Sequence, residues 1–131
     1  MEAREVRQFA ERYTAAWCSQ NAASVAEHFA QDGTLQVNDG AAAAGREAIT
    51  AVAQSFMTAF PDMEVAMDEL VVDGGRAVYH WTLTGTYAET GCPVAISGFE
   101  EWRMGADGLI AQSLGHFDAA EYARQIQFGA V

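Results

Sequence analysis

Apolar residues recur at helical spacing near the start of the chain. Val6, Phe9, Tyr13, Ala16 and Trp17 fall on one face, with Glu5, Arg7, Gln8, Glu11 and Arg12 between them. That pattern predicts a long amphipathic helix with a strongly aromatic inner face. Asn21 is placed to cap a second, shorter helix that carries Val25 and Phe29 inward and ends at the Asp32-Gly33 turn. A short strand follows from Thr34 to Asn38, with Leu35 and Val37 alternating against Gln36 and Asn38. Ala41 to Ala44 read as a loop or the approach to a third helix, whose apolar positions are Ile49, Val52, Phe56 and Phe60 and which Pro61 stops.

Beyond Pro61 the period changes to two. Met63, Val65 and Met67 alternate with Glu64 and Asp68, while Leu70 and Val72 continue on the opposite parity, which predicts a bulge near Asp68-Glu69. Gly74-Gly75 turns the chain into a strand from Arg76 to Tyr87, rich in aromatic and β-branched residues. Further strands run from Val94 to Met104 and from Leu109 to Phe117, separated by the Gly105–Gly108 turn, and Ala119 to Phe128 forms a closing helix. Segregated helices followed by an antiparallel meander define an α+β fold. With no repeat or linker, the expectation is one domain over residues 1–131.

Composition narrows the partners. A net charge of −11 and the lack of any Lys/Arg cluster argue against nucleic acid and against an anionic membrane surface. No window has the length of a membrane span, and residues 1–7 show no apolar leader, so the expectation is cytoplasmic. Cys18 and Cys92 form no metal-type or redox-type pair, and Cys18 is expected to be a buried, inert thiol. His28, His80 and His116 lie on separate elements without ligand spacing, so no metal and no cofactor are expected.

Several segments together resemble a known family: Arg12 to Trp17, His28 to Thr34, Gly45 to Ile49, Trp81 to Tyr87 and Phe99 to Ile110. Their order and spacing are similar to the nuclear transport factor 2-like superfamily, above all its SnoaL-like branch of polyketide cyclases and ketosteroid isomerase relatives. The resemblance implies a cone-shaped, cystatin-like α+β barrel, with three helices covering the concave face of a curved, mostly antiparallel sheet. Between the layers it implies an apolar pocket for a small hydrophobic molecule, carbonyl-bearing or polycyclic.

Strand alternation indicates which residues reach that pocket. Tyr79, Trp81 and Leu83 form the bulkier, inward set of their strand. Aligned on the superfamily pattern, Glu100, Trp102 and Met104 point inward, as do Ser113, Gly115 and Phe117. Trp17, Phe29, Val37 and Phe56 complete the expected lining. The resemblance assigns chemistry to Glu100, at the position of a carboxyl that donates to a substrate oxyanion, and to Tyr13, at the position of a phenol that donates beside it. An apolar setting would raise the Glu100 pKa and keep it protonated, and two donors would stabilise an enolate during cyclisation, isomerisation or dehydration.

The departures count as well. The general base of the ketosteroid isomerases aligns with Val37, and the acid/base aspartate of the SnoaL-like cyclases with Gly115, its histidine neighbour falling on Ser113. Two readings therefore stand: an enolate-stabilising enzyme, or a non-catalytic ligand-binding or dimerising module that has lost the acid/base. His80 and His116 fall on the outer parity, where pairing with Glu101 or Arg103 is expected, and Asp118 is placed to cap the last helix. The outer sheet face, carrying Val78, Phe99 and Leu114, is the expected homodimer surface.

Overall fold

A computed structural model describes residues 2–130. Helix α1 (Ala3–Cys18) buries Val6, Phe9, Ala10, Tyr13 and Ala16, the three-to-four spacing that lays one stripe on the sheet. Helix α2 (Ala22–Ala26) is shorter than its apolar spacing suggests. Phe29 is not its inward residue: strand β1 (Phe29–Val37) begins there rather than at Thr34. The reason is tertiary. Phe29 pairs in parallel with Ile110, and the β1 register shifts between Phe29 and Thr34. Gly33 crosses this stretch so closely that a Cβ there would lie 2.9 Å from the Ile110 carbonyl oxygen, so the Asp32-Gly33 pair is a bend within a strand rather than a helix stop.

The alanine run is not wholly a loop, because β2 (Ala43–Ala44) pairs with Thr34 and Leu35. Gly45, at φ 88°, then turns the chain into α3 (Arg46–Ala59). Strand β3 (Glu64–Asp73) carries the expected bulge, between Met67 and Glu69. β4 (Arg76–Thr86), β5 (Pro93–Met104) and β6 (Ile110–Phe117) continue the meander. Helix α4 (Ala119–Phe128) is capped by Asp118, whose Oδ1 accepts the Glu121 N–H at 3.0 Å.

Among the described residues, six strands run in the order β2-β1-β6-β5-β4-β3, antiparallel throughout except for the β1–β6 pair. The helices pack on this curved sheet as an α+β cone, with α4 the closing helix. Aromatic rings build the interior. Trp102 stacks on Tyr79 at 4.9 Å and meets Tyr13 edge-on at 5.1 Å and Phe9 at 5.8 Å. Such edge-on and stacked pairs add to the burial of their large surfaces. On the outer face, register places His80, Phe99 and His116 side by side across three strands, and the His116 Nε2–Glu101 Oε2 pair lies at 2.7 Å.

Candidate active site

The site is organised around one carboxyl group. Glu100 sits mid-strand in β5, directly across from Tyr79 on β4 and Gly115 on β6. Its Oε1 accepts three hydrogen bonds: from the Ser113 hydroxyl at 2.7 Å, the Tyr13 hydroxyl at 2.9 Å and the Trp102 indole N–H at 3.0 Å. Each donor is fixed by its own element. Trp102 lies two residues along the strand and so shares the inward face, Ser113 comes from β6, and Tyr13 descends from α1. Glu100 is 7% exposed and Ser113 fully buried. Oε2 has no hydrogen bond among the described residues, and Glu100 lines the interior cavity.

Burial raises the carboxyl pKa of Glu100, and the donors from Trp102, Ser113 and Tyr13 only partly draw it back. The Tyr13 phenol is pushed well above its ordinary value by burial first and by the neighbouring Glu100 charge next, and Tyr79 is raised chiefly by burial. Both phenols therefore remain neutral donors. Tyr79 meets the Thr14 hydroxyl at 2.5 Å. The buried indole N–H of Trp17 has no hydrogen-bond partner among the described residues; it acts to lower the Tyr13 pKa, against the stronger effect of burial.

The cavity holds about 70 Å³. Of the residues expected at the site, Trp17, Val37, Phe56, Tyr79, Trp81, Glu100, Gly115 and Phe117 line it. Tyr13, Phe29, Trp102 and Ser113 do not: they form the shell behind, three of them as donors to Glu100, and Phe29 as a buried core ring 6.1 Å from Tyr13. The Tyr13 hydroxyl, directed onto Glu100, is thus not presented to the cavity beside it. Leu35, Val52, Val65, Leu83, Ile96 and Tyr122 complete the wall. Leu83 belongs to the inward set that alternation gave, and Ile96, paired with it and sharing the parity of Glu100, was accessible to alternation alone. Tyr122 is not, because it reaches the wall only when α4 folds back, setting its ring 5.5 Å from Phe117 and 6.3 Å from Phe60.

Val37 and Gly115 bring no carboxylate, so among the described residues Glu100 is the sole carboxyl group on the wall. His28 lies outside it, its Nδ1 2.8 Å from the Ser24 carbonyl oxygen. Cys18, expected to be buried, is exposed, its Sγ engaging the Val65 backbone; the aromatic stripe of α1 turns it away from the core. Among the described residues no group of three His, Cys, Asp or Glu side chains could hold a metal ion, and no helix is long and apolar enough to cross a membrane.

Known structures share this architecture. A ketosteroid isomerase-like-fold protein from Catenulispora acidiphila DSM 44928, solved in complex with trimethylamine, is 19% identical with a TM-score of 0.82, covering 89% of this chain and 90% of its own. A candidate SnoaL-like polyketide cyclase from Jannaschia Sp. CCS1 is 17% identical with a TM-score of 0.85, covering 97% and 94%. The epoxide hydrolase/cyclase-like enzyme SalBIII, which acts in pyran ring formation in the polyether salinomycin, is 14% identical with a TM-score of 0.81, covering 92% and 95%. At these identities the likeness speaks for the fold. No curated protein matches the chain significantly. The family model described as a SnoaL-like domain matches residues 10–113, the span from the inner face of α1 to the Ser113 that holds Glu100, and the chain belongs to that family.

Proposed function

We propose that the cavity binds a compact, largely apolar molecule and that Glu100 Oε2 is the atom that exchanges a proton with it. One observation carries this reading: three donors converge on Oε1 while Oε2 has no protein partner and its carboxyl group lines an otherwise carbon-walled cavity. The three bonds fix the carboxyl plane, and the raised pKa brings its proton affinity closer to the pH at which acid–base exchange is efficient. Ionised, Oε2 takes a proton from carbon beside a carbonyl; protonated, it returns that proton at another atom. This sequence serves isomerisation, dehydration or ring closure with one carboxyl group. Tyr13, Trp102 and Ser113 are positioning residues in this scheme.

Size supports a compact ligand over a polycyclic one. An apolar cavity of about 150 Å³ accommodates benzene, whereas this one holds about 70 Å³. The trimethylamine carried by the Catenulispora acidiphila protein is of that compact scale. The test is hydrogen–deuterium exchange at the α-carbon of small ketones, followed by NMR. Glu100→Gln is expected to slow exchange by about 100-fold or more, and an unchanged rate overturns the scheme. The empty acid/base positions at Val37 and Gly115 favour a second reading, a non-catalytic binding module. It predicts that wild type and Glu100→Gln bind the same ketones and that neither accelerates exchange.

We further propose that two copies pair through the outer sheet face, where half-buried Val78, Phe99 and Leu114 would otherwise meet water.

A further inference from the structure

We infer that the ligand this cavity is built to hold is a small alkylammonium cation, its N–H directed to Glu100 Oε2 and its alkyl groups packed among the surrounding aromatic rings. The inference rests on the reading of the cavity as a ligand site and adds the charge of the occupant.

Among the described residues, the cavity wall contains Glu100 but no Lys, Arg or His. All three groups holding Oε1 are neutral dipoles, two hydroxyls and an indole N–H. An ionised carboxylate buried against carbon-lined walls is costly without a counter-ion, and the described residues lining the cavity provide none. A cationic ligand supplies it and completes the coordination of the carboxylate through the oxygen left free. A neutral carbonyl compound, by contrast, brings no positive charge to balance the carboxylate.

The walls suit such a cation. Trp17 and Phe56 meet edge-on at 6.2 Å on the helical side, while Trp81 and Phe117 meet at 6.0 Å on the sheet side, and Tyr79 and Tyr122 complete the ring of aromatic side chains. Aromatic faces attract cations within about 6 Å, and ammonium groups bearing alkyl substituents are well suited to such cages because their charge is spread and weakly hydrated. The volume of about 70 Å³ fits a few heavy atoms, and the net charge of −11 draws cations toward the molecule.

Binding then depends on pH through Glu100. The titratable groups facing it are Tyr13 from α1 and Tyr79 from β4, both neutral phenols; β6 contributes Ser113 and Gly115. Affinity for the cation is therefore expected to rise with pH as Glu100 ionises, up to the point where the amine loses its own proton.

Three probes of nearly equal shape separate charge from size: trimethylammonium, tetramethylammonium (charge without N–H) and tert-butanol (neutral), titrated by calorimetry or NMR. Trimethylammonium is expected to bind at least about 10-fold more tightly than tert-butanol, with tetramethylammonium between them. Glu100→Gln is expected to remove that advantage, bringing the ammonium affinity down to that of tert-butanol. Equal binding of ammonium and alcohol by the wild type, which needs no variant to fold, overturns the inference, as does an ammonium affinity unchanged in Glu100→Gln. If only neutral ketones bind, the cation inference falls and the acid–base reading stands; if no probe of either class binds, both fall.

Discussion

Glu100 is a residue whose protonation is tied to the stability of the fold. Its pKa is raised in the folded state, chiefly by burial, so protonation favours folding. That contribution is full below the unfolded carboxyl value and is lost as pH rises through the folded one. The melting temperature of the wild type is therefore expected to fall across this window relative to Glu100→Gln, whose amide oxygen can still accept the three donors. The difference, variant minus wild type, should widen with pH; parallel curves in a thermal scan would refute the assignment. Alternation and the family pattern were enough to place this side chain inward. They could not show that Tyr13 donates to Glu100 rather than to a ligand, because that depends on how far α1 descends onto β5, a tertiary distance that no local spacing encodes.

Gly98 shows what the strands themselves contribute. It sits directly across from Trp81 in the β4–β5 ladder. A Cβ there would lie 2.6 Å from Trp81 Cζ2 and would also collide with the His116 carbonyl oxygen. The glycine thus lets the Trp81 ring lie across β5 and form the cavity wall. Gly98→Ala is expected to cost about 1–3 kcal/mol in urea unfolding and to alter tryptophan emission as Trp81 is displaced; an unchanged midpoint would refute the close approach of β6 and Trp81 to this position. The strand pattern and the β3 bulge were legible because a two-residue period leaves little ambiguity once Pro61 ends the helix. The second helix was overestimated, because Val25 and Phe29 stand four apart and mimic a helical face while long-range pairing with Ile110 claims Phe29 for the sheet. Local spacing cannot register a partner eighty residues away.

At the scale of the whole molecule, the two faces of the sheet have different chemistry. The inner face is aromatic around a single carboxyl group, and the outer one alternates apolar side chains with the His116–Glu101 pair and the tilted Phe99–His116 contact at 4.7 Å. The proposed dimer predicts twice the monomer mass by light scattering at micromolar concentration, and Phe99→Glu, at the centre of the row, is expected to shift the population toward monomer. A monomeric wild type would remove that proposal without touching the cavity. The α+β class was readable from segment order, with most helices ahead of a four-strand meander, whereas the cone was an implication of the family resemblance. The width of the cavity was not, because it is set by how deeply rings such as Tyr122 and Trp17 lean inward.

Gly115 carries a consequence of its own. A Cβ at this position would stand 3.4 Å from the Gln36 carbonyl oxygen and 3.8 Å from Glu100 Cγ, so the backbone accepts a Cβ at ordinary contact distances. Replacing it with aspartate would set two carboxyl groups side by side, and such neighbours titrate as a unit, one giving up its proton early and the other late. The present site is a half-built dyad: one acid held in place, with an open seat next to it. A single substitution would convert a cavity with one carboxyl group into one that divides donor and acceptor roles between two, making this scaffold a direct means of measuring what a second carboxyl adds.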